Sequence, residues 1–213
     1  MSRPLIISDC DEVLLHMVAH FRDWLHEETE VDFVMTGADF GQAMRWRTSG
    51  ETLEKKDIWR YLGRFFETEM DRQLPIAGAI EGIGALSEKA DVVILTNLND
   101  EWQERRRRQL ESHGANVRVF TNQGPKGPAL QAIVEEYAPS RAIFIDDLPQ
   151  HHHSARETMK NTGAEIRSLH LCGEPLLAPH IDCAYKAGHA DARIDNWAEA
   201  LPWLLDQLER EDA

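Results

Sequence analysis

Residues 5–13 read Leu-Ile-Ile-Ser-Asp-Cys-Asp-Glu-Val, a short apolar run that ends in a cluster of acidic side chains. Three further apolar runs, at 92–95, 117–120 and 142–145, also end in polar or acidic residues. Continuous apolar runs, rather than alternating ones, are typical of strands covered on both faces, as in a parallel sheet. The pattern therefore predicts buried parallel strands whose carboxyl ends carry the polar groups.

Helical periods lie between these strands. Ile80, Ile83 and Leu86 share one helix face before the second strand, and Leu130 and Ile133 share another before the fourth. Strands and helices in alternation imply right-handed crossovers. We therefore predict an α/β protein with a doubly wound, Rossmann-like parallel sheet.

The predicted strands are unevenly spaced along the chain. The first two begin 87 residues apart, whereas the later ones begin 25 residues apart. Since one strand–helix unit takes roughly 30 residues, about 55 residues are left over as an insertion after the first strand. We place a small helical cap at residues 16–75 and assign residues 1–15 and 76–213 to the α/β core.

Apolar residues recur at helical spacing within the predicted cap. The faces at 17–25 and 58–66 predict two helices, and Phe40, Met44 and Trp46 predict a third, shorter one. The cap is therefore expected to consist of helices.

The composition indicates a globular chain of strongly acidic character. Acidic residues number 37 against 23 basic ones among 213, which gives a formal charge of −14. This field repels a phosphate backbone or an anionic membrane surface, so we expect neither nucleic acid nor a membrane as a partner. The first residues contain no apolar stretch long enough for a signal peptide, and three scattered cysteines fit a reducing compartment. We expect a cytoplasmic protein.

Polar groups collect where the strands end, which is the edge at which open α/β sheets bind ligands. Asp9 and Asp11 lie two positions apart, so their side chains point to the same side of a strand. Lys126 lies in a Gly-Pro-Lys-Gly-Pro turn after the third strand. Together the strand ends offer these candidate residues: Asp9 and Asp11, Thr96 and Asn97, Lys126, and Asp146 and Asp147.

Several carboxylates at one edge require a cation. Two carboxylates about 4 Å apart repel each other by roughly 4 kcal/mol at an effective dielectric constant near 20. Oxygen ligands from Asp9 and Asp146 suit Mg²⁺ far better than a soft metal. With Mg²⁺, Lys126 and the Thr96 hydroxyl close by, the site attracts a phosphate group although the chain is acidic.

In chain order, these residues resemble the four motifs of the haloacid dehalogenase-like (HAD) hydrolase superfamily: Asp9-x-Asp11-x-Val13, Thr96, Lys126 and Asp146-Asp147. The resemblance covers roughly residues 1–160, and the insertion takes the position of that superfamily's helical C1 cap. It implies an enzyme of the phosphatase type. Relatives that displace halide lack the second aspartate, because a halide leaving group needs no proton.

The resemblance also implies the catalytic roles. Asp9 would be the nucleophile that attacks phosphorus to form an aspartyl-phosphate. Asp11 would be the general acid that protonates the leaving oxygen and the base that later activates water. The backbone carbonyl of Asp11 ligates the metal in relatives.

The same resemblance implies the binding roles. Thr96, Asn97 and Lys126 would hold phosphoryl oxygens, and Lys126 would offset the charge of nucleophile and phosphate together. Asp146 would bind Mg²⁺, and Asp147 would support the ion directly or through water. The implied cofactor is therefore Mg²⁺, held by Asp9, Asp11, Asp146 and Asp147.

Four features are open to a second interpretation. Glu12 stands where many phosphatase relatives have glycine, which bears on the turn that leaves the first strand. Asp147 is either a metal ligand or the N-cap of the next helix. Side chains at His151–His153 would point about 100° apart on a helix, so a polar helix start is favoured over a metal site. The Arg105–Arg108 run predicts a solvated helix face rather than an RNA contact.

The prediction is a Mg²⁺-dependent phosphomonoester hydrolase that acts on a small phosphorylated metabolite. A phosphotransferase or mutase would use the same groups with another acceptor, and a non-catalytic relative would only bind the phosphorylated ligand. A response-regulator receiver is disfavoured, because there the lysine comes last along the chain. The nucleotide-binding patterns GxxxxGK[ST] and GxGxxG do not occur. The sequence leaves the substrate and the oligomeric state open.

Overall fold

A computed structural model describes residues 2–37, 39–160, 162 and 166–209. Its strands are β1 (Leu5–Ser8), β2 (Val31–Phe33), β3 (Met44–Trp46), β4 (Asp91–Thr96), β5 (Arg118–Thr121), β6 (Ala142–Asp146), β7 (Ile166–His170) and β8 (Ala192–Arg193). Its α-helices are α1 (Val18–Glu28), α2 (Lys55–Glu69), α3 (Ala79–Lys89), α4 (Gln103–Ser112), α5 (Gly127–Tyr137), α6 (Pro149–Met159) and α7 (Trp197–Glu209). No helix in these ranges combines the length and the apolar character needed to cross a bilayer.

The centre of the molecule is a six-stranded parallel sheet in the order β5-β4-β1-β6-β7-β8. Strand β1 lies in its interior, where Ser8 is paired with Ile94 of β4 on one side and Ile145 of β6 on the other. Every residue of β1 is buried, as expected of a strand covered on both faces. The predicted α/β fold class is confirmed, and β7 and β8 extend the sheet beyond the four predicted strands.

Alternate residues of β1 supply two separate apolar clusters. Ile6 packs into a cluster with helices α3 and α7, which lie on one face of the sheet. Leu5 and Ile7 pack into a cluster with α5 and α6 on the other face. This alternation follows from the two-residue period of side chains along a strand. The sheet is therefore the middle layer of three.

The predicted cap segment, 16–75, contributes no described strand to the large sheet. It contains α1, α2 and a two-stranded antiparallel sheet in which Val31 pairs with Trp46. The predicted third helix with Phe40, Met44 and Trp46 is wrong, because only a 3₁₀ turn at Phe40–Ala43 precedes β3. The three apolar residues are spaced by four and two positions, and the last pair has the two-residue period of a strand.

The cap segment has an apolar cluster of its own, which is rich in aromatic side chains. Phe21 lies at its centre, with ring contacts to Trp24, Phe33 and Phe65 at centroid distances of 6.0, 6.4 and 5.2 Å. Cys172, in the segment after β7, is buried in the same cluster. The bounds of the cap, 16–75, stay a prediction. The cluster favours them, because most of its residues lie in this range.

Helices α3 and α7 are in close contact through one glycine. The Trp197 indole is buried and donates a hydrogen bond from Nε1 to the Val13 carbonyl oxygen at 2.7 Å. A Cβ atom added at Gly82 would lie 2.5 Å from Cε3 of this ring. Gly84, two positions further along α3 and exposed, would meet no atom within 4 Å.

We therefore predict opposite effects for two alanine substitutions in α3. Gly82→Ala should lower the free energy of unfolding by about 1–3 kcal/mol, because the indole has to move out of a packed position. Gly84→Ala should raise it by roughly 0.5–1 kcal/mol, because alanine loses less backbone entropy than glycine in a helix. Urea unfolding of both variants beside the wild type measures this. Equal effects would contradict the close contact of Gly82 with Trp197.

Candidate active site

Lys126 links the ends of two neighbouring strands. Asp9 directly follows β1, and its backbone N–H donates to the Ile145 carbonyl oxygen of β6 at 2.8 Å. Lys126 Nζ lies 2.8 Å from Oδ1 of Asp9 and 2.7 Å from Oδ2 of Asp146, the last residue of β6. All three side chains are buried. The loop before α5 thus delivers one ammonium group to two carboxylates at the carboxyl edge of the sheet.

Two local contacts hold Lys126 and Asp9 in these positions. A Cβ atom at Gly127 would lie 2.5 Å from the Ser154 carbonyl oxygen, so glycine lets the start of α5 approach α6 closely. The Gly127 N–H donates to Oγ of Ser154 at 3.0 Å. At the other end of the ion pair, Oδ1 of Asp9 also accepts from the Cys10 N–H at 2.7 Å, which orients the carboxylate.

Burial and charge act in opposite directions on these groups. Burial raises the pKa of Asp9 to about 7, an effect that Lys126 opposes and Asp146 strengthens. Burial favours the neutral form of Asp146 too, but the Lys126 ammonium outweighs it and holds the pKa of Asp146 below its usual value. Burial would lower the pKa of Lys126, yet Asp146 and Asp9 raise it above its usual range. Lys126 is therefore a permanent cation at neutral pH.

Asp147 adds a third carboxylate to this pair. One oxygen each from Asp9, Asp146 and Asp147 lie within 4.8 Å of one another. Oδ1 of Asp147 is buried and has no hydrogen-bond partner among the described residues. Burial, with help from Asp146, raises the pKa of Asp147 well above its usual value. Three oxygen donors around one lysine, with an orphaned carboxylate oxygen, fit a hard cation such as Mg²⁺.

The alternative role of Asp147 as a helix cap is wrong. Helix α6 begins after Leu148, and no side chain caps it. The Leu148 N–H instead donates to Oδ1 of Asp146 at 2.9 Å. The Asp146 carboxylate therefore accepts hydrogen bonds from Lys126 and Leu148, and Asp147 keeps an oxygen for another ligand.

Asp11 does not join this carboxylate group. Its two oxygens accept hydrogen bonds from Nη2 of Arg106 at 3.0 and 3.2 Å, and Oδ1 also accepts from Nε2 of Gln73 at 3.3 Å. The Arg106 side chain is 0% exposed, whereas that of Asp11 is 16% exposed. The predicted solvated face at Arg105–Arg108 is wrong for Arg106. Successive helix positions point about 100° apart, so one residue of the four faces the interior.

Thr96 and Asn97 end β4 beside this site. Thr96 is buried, and its carbonyl oxygen accepts from the Leu98 and Asn122 N–H groups at 3.0 and 2.9 Å. The Asn97 amide nitrogen donates to the Gly124 carbonyl oxygen at 3.1 Å and lies 3.3 Å from Nε2 of His151. Asn97, in the loop after β4, therefore contacts the loop after β5 and the first turn of α6. Its predicted contact to phosphate stays a prediction.

Two histidines support the metal-binding candidates through the backbone. His152 Nε2 lies 2.9 Å from the Asp146 carbonyl oxygen, and His170 Nε2 lies 2.7 Å from that of Asp147. Since a carbonyl oxygen only accepts, each Nε2 carries the hydrogen. Burial lowers the pKa of His170 to about 4 and lowers that of His152, so both rings are neutral donors. Sequence reasoning missed this role of the two histidines, because β7, with Arg167 and Ser168, has no continuous apolar run.

The three adjacent histidines do not converge on one ion. His151 contacts Asn97, His152 donates to the Asp146 carbonyl oxygen, and His153 Nδ1 lies 3.3 Å from Nε2 of His189. This divergence agrees with the expected rotation of about 100° per residue on a helix. Each ring therefore contacts a different neighbour, and His152 holds the backbone of Asp146 in the site.

The structure explains how Glu12 is accommodated in the turn after β1, where a glycine was expected. Its φ angle is +62°, in the left-handed region that glycine adopts most readily. The side chain compensates, because Oε1 accepts from the Met17 and Val18 N–H groups at 3.0 and 2.6 Å and so caps the start of α1. Burial raises the pKa of Glu12 well above its usual value, against the hydrogen bond from Val18. The strained turn is thus tied to the first helix of the cap segment.

No protein-family model matches the sequence, and a search of curated proteins gives no match. Solved structures do match over nearly the whole chain. A haloacid dehalogenase-like family hydrolase from Streptococcus pneumoniae is 16% identical, with a TM-score of 0.66 over 95% of this chain and 98% of its own. A structure from Haemophilus somnus, assigned as a phosphoglycolate phosphatase, is 12% identical, with a TM-score of 0.62 over 96% and 99%. The chain has the haloacid dehalogenase-like fold.

The haloacid dehalogenase-like fold is also shared with a structure from Thermotoga maritima assigned as a β-phosphoglucomutase. That structure is 14% identical, with a TM-score of 0.64 over 95% of this chain and 99% of its own. Structures assigned as a hydrolase, a phosphatase and a mutase therefore share one fold. In the present chain, the carboxyl edge of that fold carries Asp9, Lys126, Asp146 and Asp147 in direct proximity.

The left-handed turn at Glu12 generates a prediction about stability. Glu12→Gly and Glu12→Ala both remove the hydrogen bonds to α1, but only alanine keeps the cost of the left-handed conformation. Glu12→Ala should therefore be less stable than Glu12→Gly by about 1 kcal/mol. Urea unfolding of the two variants measures the difference. An alanine variant as stable as the glycine variant would show that the turn is not strained.

Proposed function

We propose that the protein is a Mg²⁺-dependent phosphomonoester hydrolase that works through a phosphorylated Asp9. The observation that carries the proposal is the buried ammonium of Lys126, 2.8 Å from Asp9 and 2.7 Å from Asp146. A buried cation between two carboxylates stabilises negative charge that enters the same space. A phosphoryl group brings such charge, and the hydrolase and phosphatase assignments of structures with this fold support the choice of chemistry.

In the proposed first step, a carboxylate oxygen of Asp9 forms a bond to phosphorus. The ester P–O bond breaks, and its electron pair goes to the leaving oxygen. Lys126 holds Asp9 in line and offsets the charge that accumulates on the phosphoryl oxygens. Thr96, buried at the end of β4, lies at the same edge of the sheet and supplies a hydroxyl to these oxygens.

Asp11 is the proposed proton donor and acceptor. It gives its proton to the leaving oxygen in the first step, and in the second step it takes a proton from the water that attacks the aspartyl-phosphate. An alkoxide leaves poorly without a proton, so this residue favours phosphate esters over halides as substrates. Its partial exposure, in contrast to buried Asp9, leaves it accessible to the leaving group.

Asp9, Asp146 and Asp147 would hold the Mg²⁺ ion, together with the backbone carbonyl of Asp11. The bound ion supplies positive charge that polarises the phosphoryl group. The orphaned oxygen of Asp147 and the hydrogen bonds from His152 and His170 to the neighbouring carbonyl oxygens support this assignment. Second-shell donors of this kind orient metal ligands in proteins.

A phosphotransferase or mutase is the second candidate function. The structure assigned as a β-phosphoglucomutase has the same fold, and transfer differs from hydrolysis only in the acceptor of the aspartyl-phosphate. The proposed substrate is a small phosphorylated metabolite that fits beneath the cap segment. A purely ligand-binding role is disfavoured, because the nucleophile, the cation and the acid are all present.

Substitution of Asp9 tests the covalent route. Asp9→Asn keeps the size of the side chain but removes its nucleophilic oxygen, so kcat toward p-nitrophenyl phosphate in the presence of Mg²⁺ should fall by at least about 10³-fold. Asp91→Asn is the matched control, since Asp91 begins β4 at the opposite edge of the sheet and its carboxylate pairs with Arg3 at the surface. Activity of Asp9→Asn at the wild-type rate would refute the covalent route.

Thermal unfolding with and without Mg²⁺ tests the metal site independently of activity. Burial raises the folded-state pKa of Asp147, so its charge lowers stability increasingly as the pH rises above about 4, and bound Mg²⁺ removes this cost. Mg²⁺ at 100 times its Kd should add about 2.7 kcal/mol to the wild type. Asp147→Asn should match or exceed the wild type in EDTA and lose most of the gain from Mg²⁺. The same gain in Asp147→Asn and wild type would exclude Asp147 as a ligand.

A further inference from the structure

We propose that Arg106 is a positioning residue for Asp11, and that it works together with Gln73 of the segment that returns from the cap to the core. The proposal rests on the proposed function, because it assigns a second residue to the acid–base step. Nothing in the motif that contains Asp11 points to Arg106, which lies 95 residues further along the chain.

The guanidinium of Arg106 makes four hydrogen bonds inside the protein. Nη2 donates to both oxygens of Asp11 at 3.0 and 3.2 Å. Nη1 donates to the side-chain oxygens of Gln73 and Gln109, both at 3.0 Å. One nitrogen thus contacts both Asp11 oxygens while the other is anchored to Gln73 and Gln109, so the guanidinium fixes the position of the carboxylate.

The arrangement is poorly explained by stability alone. Arg106 is fully buried, and the removal of an ionised side chain from water costs several kcal/mol before its partners offset it. Its Nε is buried and has no hydrogen-bond partner in the described part of the chain, so the offset is incomplete. An apolar side chain of similar volume would suit a purely structural position. The group that gains from the arrangement is Asp11, whose carboxylate receives three hydrogen bonds.

Helix α4 also holds residues 66–73, the last turn of α2 and the residues that follow it, which we call the return segment. Gln109 donates from Nε2 to the Met70 carbonyl oxygen, and Arg105 donates to the Glu67 carbonyl oxygen at 2.7 Å and to Asp71 at 2.8 Å. Hydrogen bonds from α4 therefore hold the return segment along most of its length. Gln73, at the end of the segment, then reaches Oδ1 of Asp11. The place of Asp11 depends on α4 and on the return segment together.

This geometry has a consequence for the first chemical step. In the acid form of Asp11, Oδ2 carries the proton and gives up its 3.2 Å contact with Nη2, while Oδ1 keeps its hydrogen bonds from Arg106 and Gln73. When phosphorus bonds to Asp9 and the ester bond breaks, this proton has to reach the leaving oxygen. Without Arg106 the carboxyl group is free to rotate, and fewer of its orientations deliver the proton. A poor leaving group depends strongly on that proton, whereas a good one leaves without it. Loss of Arg106 should therefore increase the sensitivity of kcat/KM to the leaving group.

The test is kcat/KM for a matched series of aryl phosphates: phenyl, p-nitrophenyl and dinitrophenyl phosphate. Arg106→Met should lose about 10²-fold with phenyl phosphate and less than about 5-fold with dinitrophenyl phosphate. Asp11→Asn should show the same pattern, and the double variant should be no worse than Asp11→Asn alone. Arg106→Lys, which keeps the charge but loses the second nitrogen that is anchored to Gln73 and Gln109, should lie between wild type and Arg106→Met.

Arg108→Met is the control on the same helix, because Arg108 is exposed and pairs with Glu104. It should leave the whole series unchanged. If Arg106→Met fails to fold in a urea titration, Gln73→Met serves instead, since it removes one hydrogen bond to Asp11 and keeps the ion pair. Gln73→Met should make kcat/KM more sensitive to the leaving group, as Arg106→Met does, but by a smaller factor.

The outcomes separate this proposal from the proposed function. Suppose that Arg106→Met, or Gln73→Met where that variant replaces it, lowers kcat/KM by the same factor for all three aryl phosphates. This result would assign a purely structural role to Arg106 and overturn the proposal. Additive losses in the double variant would overturn it too. In both cases the proposed function would still hold if the activity of the wild type is lost in Asp9→Asn. A wild type inactive on the whole series, or unaffected by Asp9→Asn, would overturn the proposed function and this proposal with it.

Discussion

The ion pair of Lys126 with Asp9 and Asp146 is the interaction on which the candidate site depends. Two carboxylates at the ends of adjacent buried strands would repel each other strongly in a region that excludes water. The ammonium between them, 2.8 and 2.7 Å away, makes their approach possible. The strand order β4-β1-β6 brings the carboxylates together, and the close contact of α5 with α6 at Gly127 brings the lysine to them.

This ion pair leaves an excess of negative charge, which shapes the rest of the site. Lys126 contacts Asp9 and Asp146, and the third carboxylate, Asp147, has an oxygen without a partner in the described residues. The surrounding donors are neutral: His152 and His170 donate to backbone carbonyl oxygens, and burial lowers the pKa of both rings. Charged histidines would have neutralised the site. Neutral ones fix its geometry and leave its charge for a metal ion.

Sequence patterns predicted the parts of the molecule that depend on local order along the chain. The strands at 92–95, 117–120 and 142–145 are present within a residue or two, because a buried parallel strand needs an apolar run whatever surrounds it. Arg106 was missed for the opposite reason. Four arginines in a row look alike, and only the rotation of α4 against the sheet selects the one that is buried. The strand at Met44–Trp46 was missed because its pairing partner, β2, lies eleven or more residues earlier.

The two halves of the proposed chemistry are built by different parts of the chain. Asp9, Lys126 and Asp146 are held by the sheet and by the helices of the core, with no contact from residues 16–75 among the hydrogen bonds and ion pairs described. Asp11 is held by Arg106 of the core and by Gln73 of the return segment. A shift of the return segment would therefore move the acid and leave the nucleophile in place. Under the proposed function, the return segment would then act on proton transfer more than on the binding of phosphate.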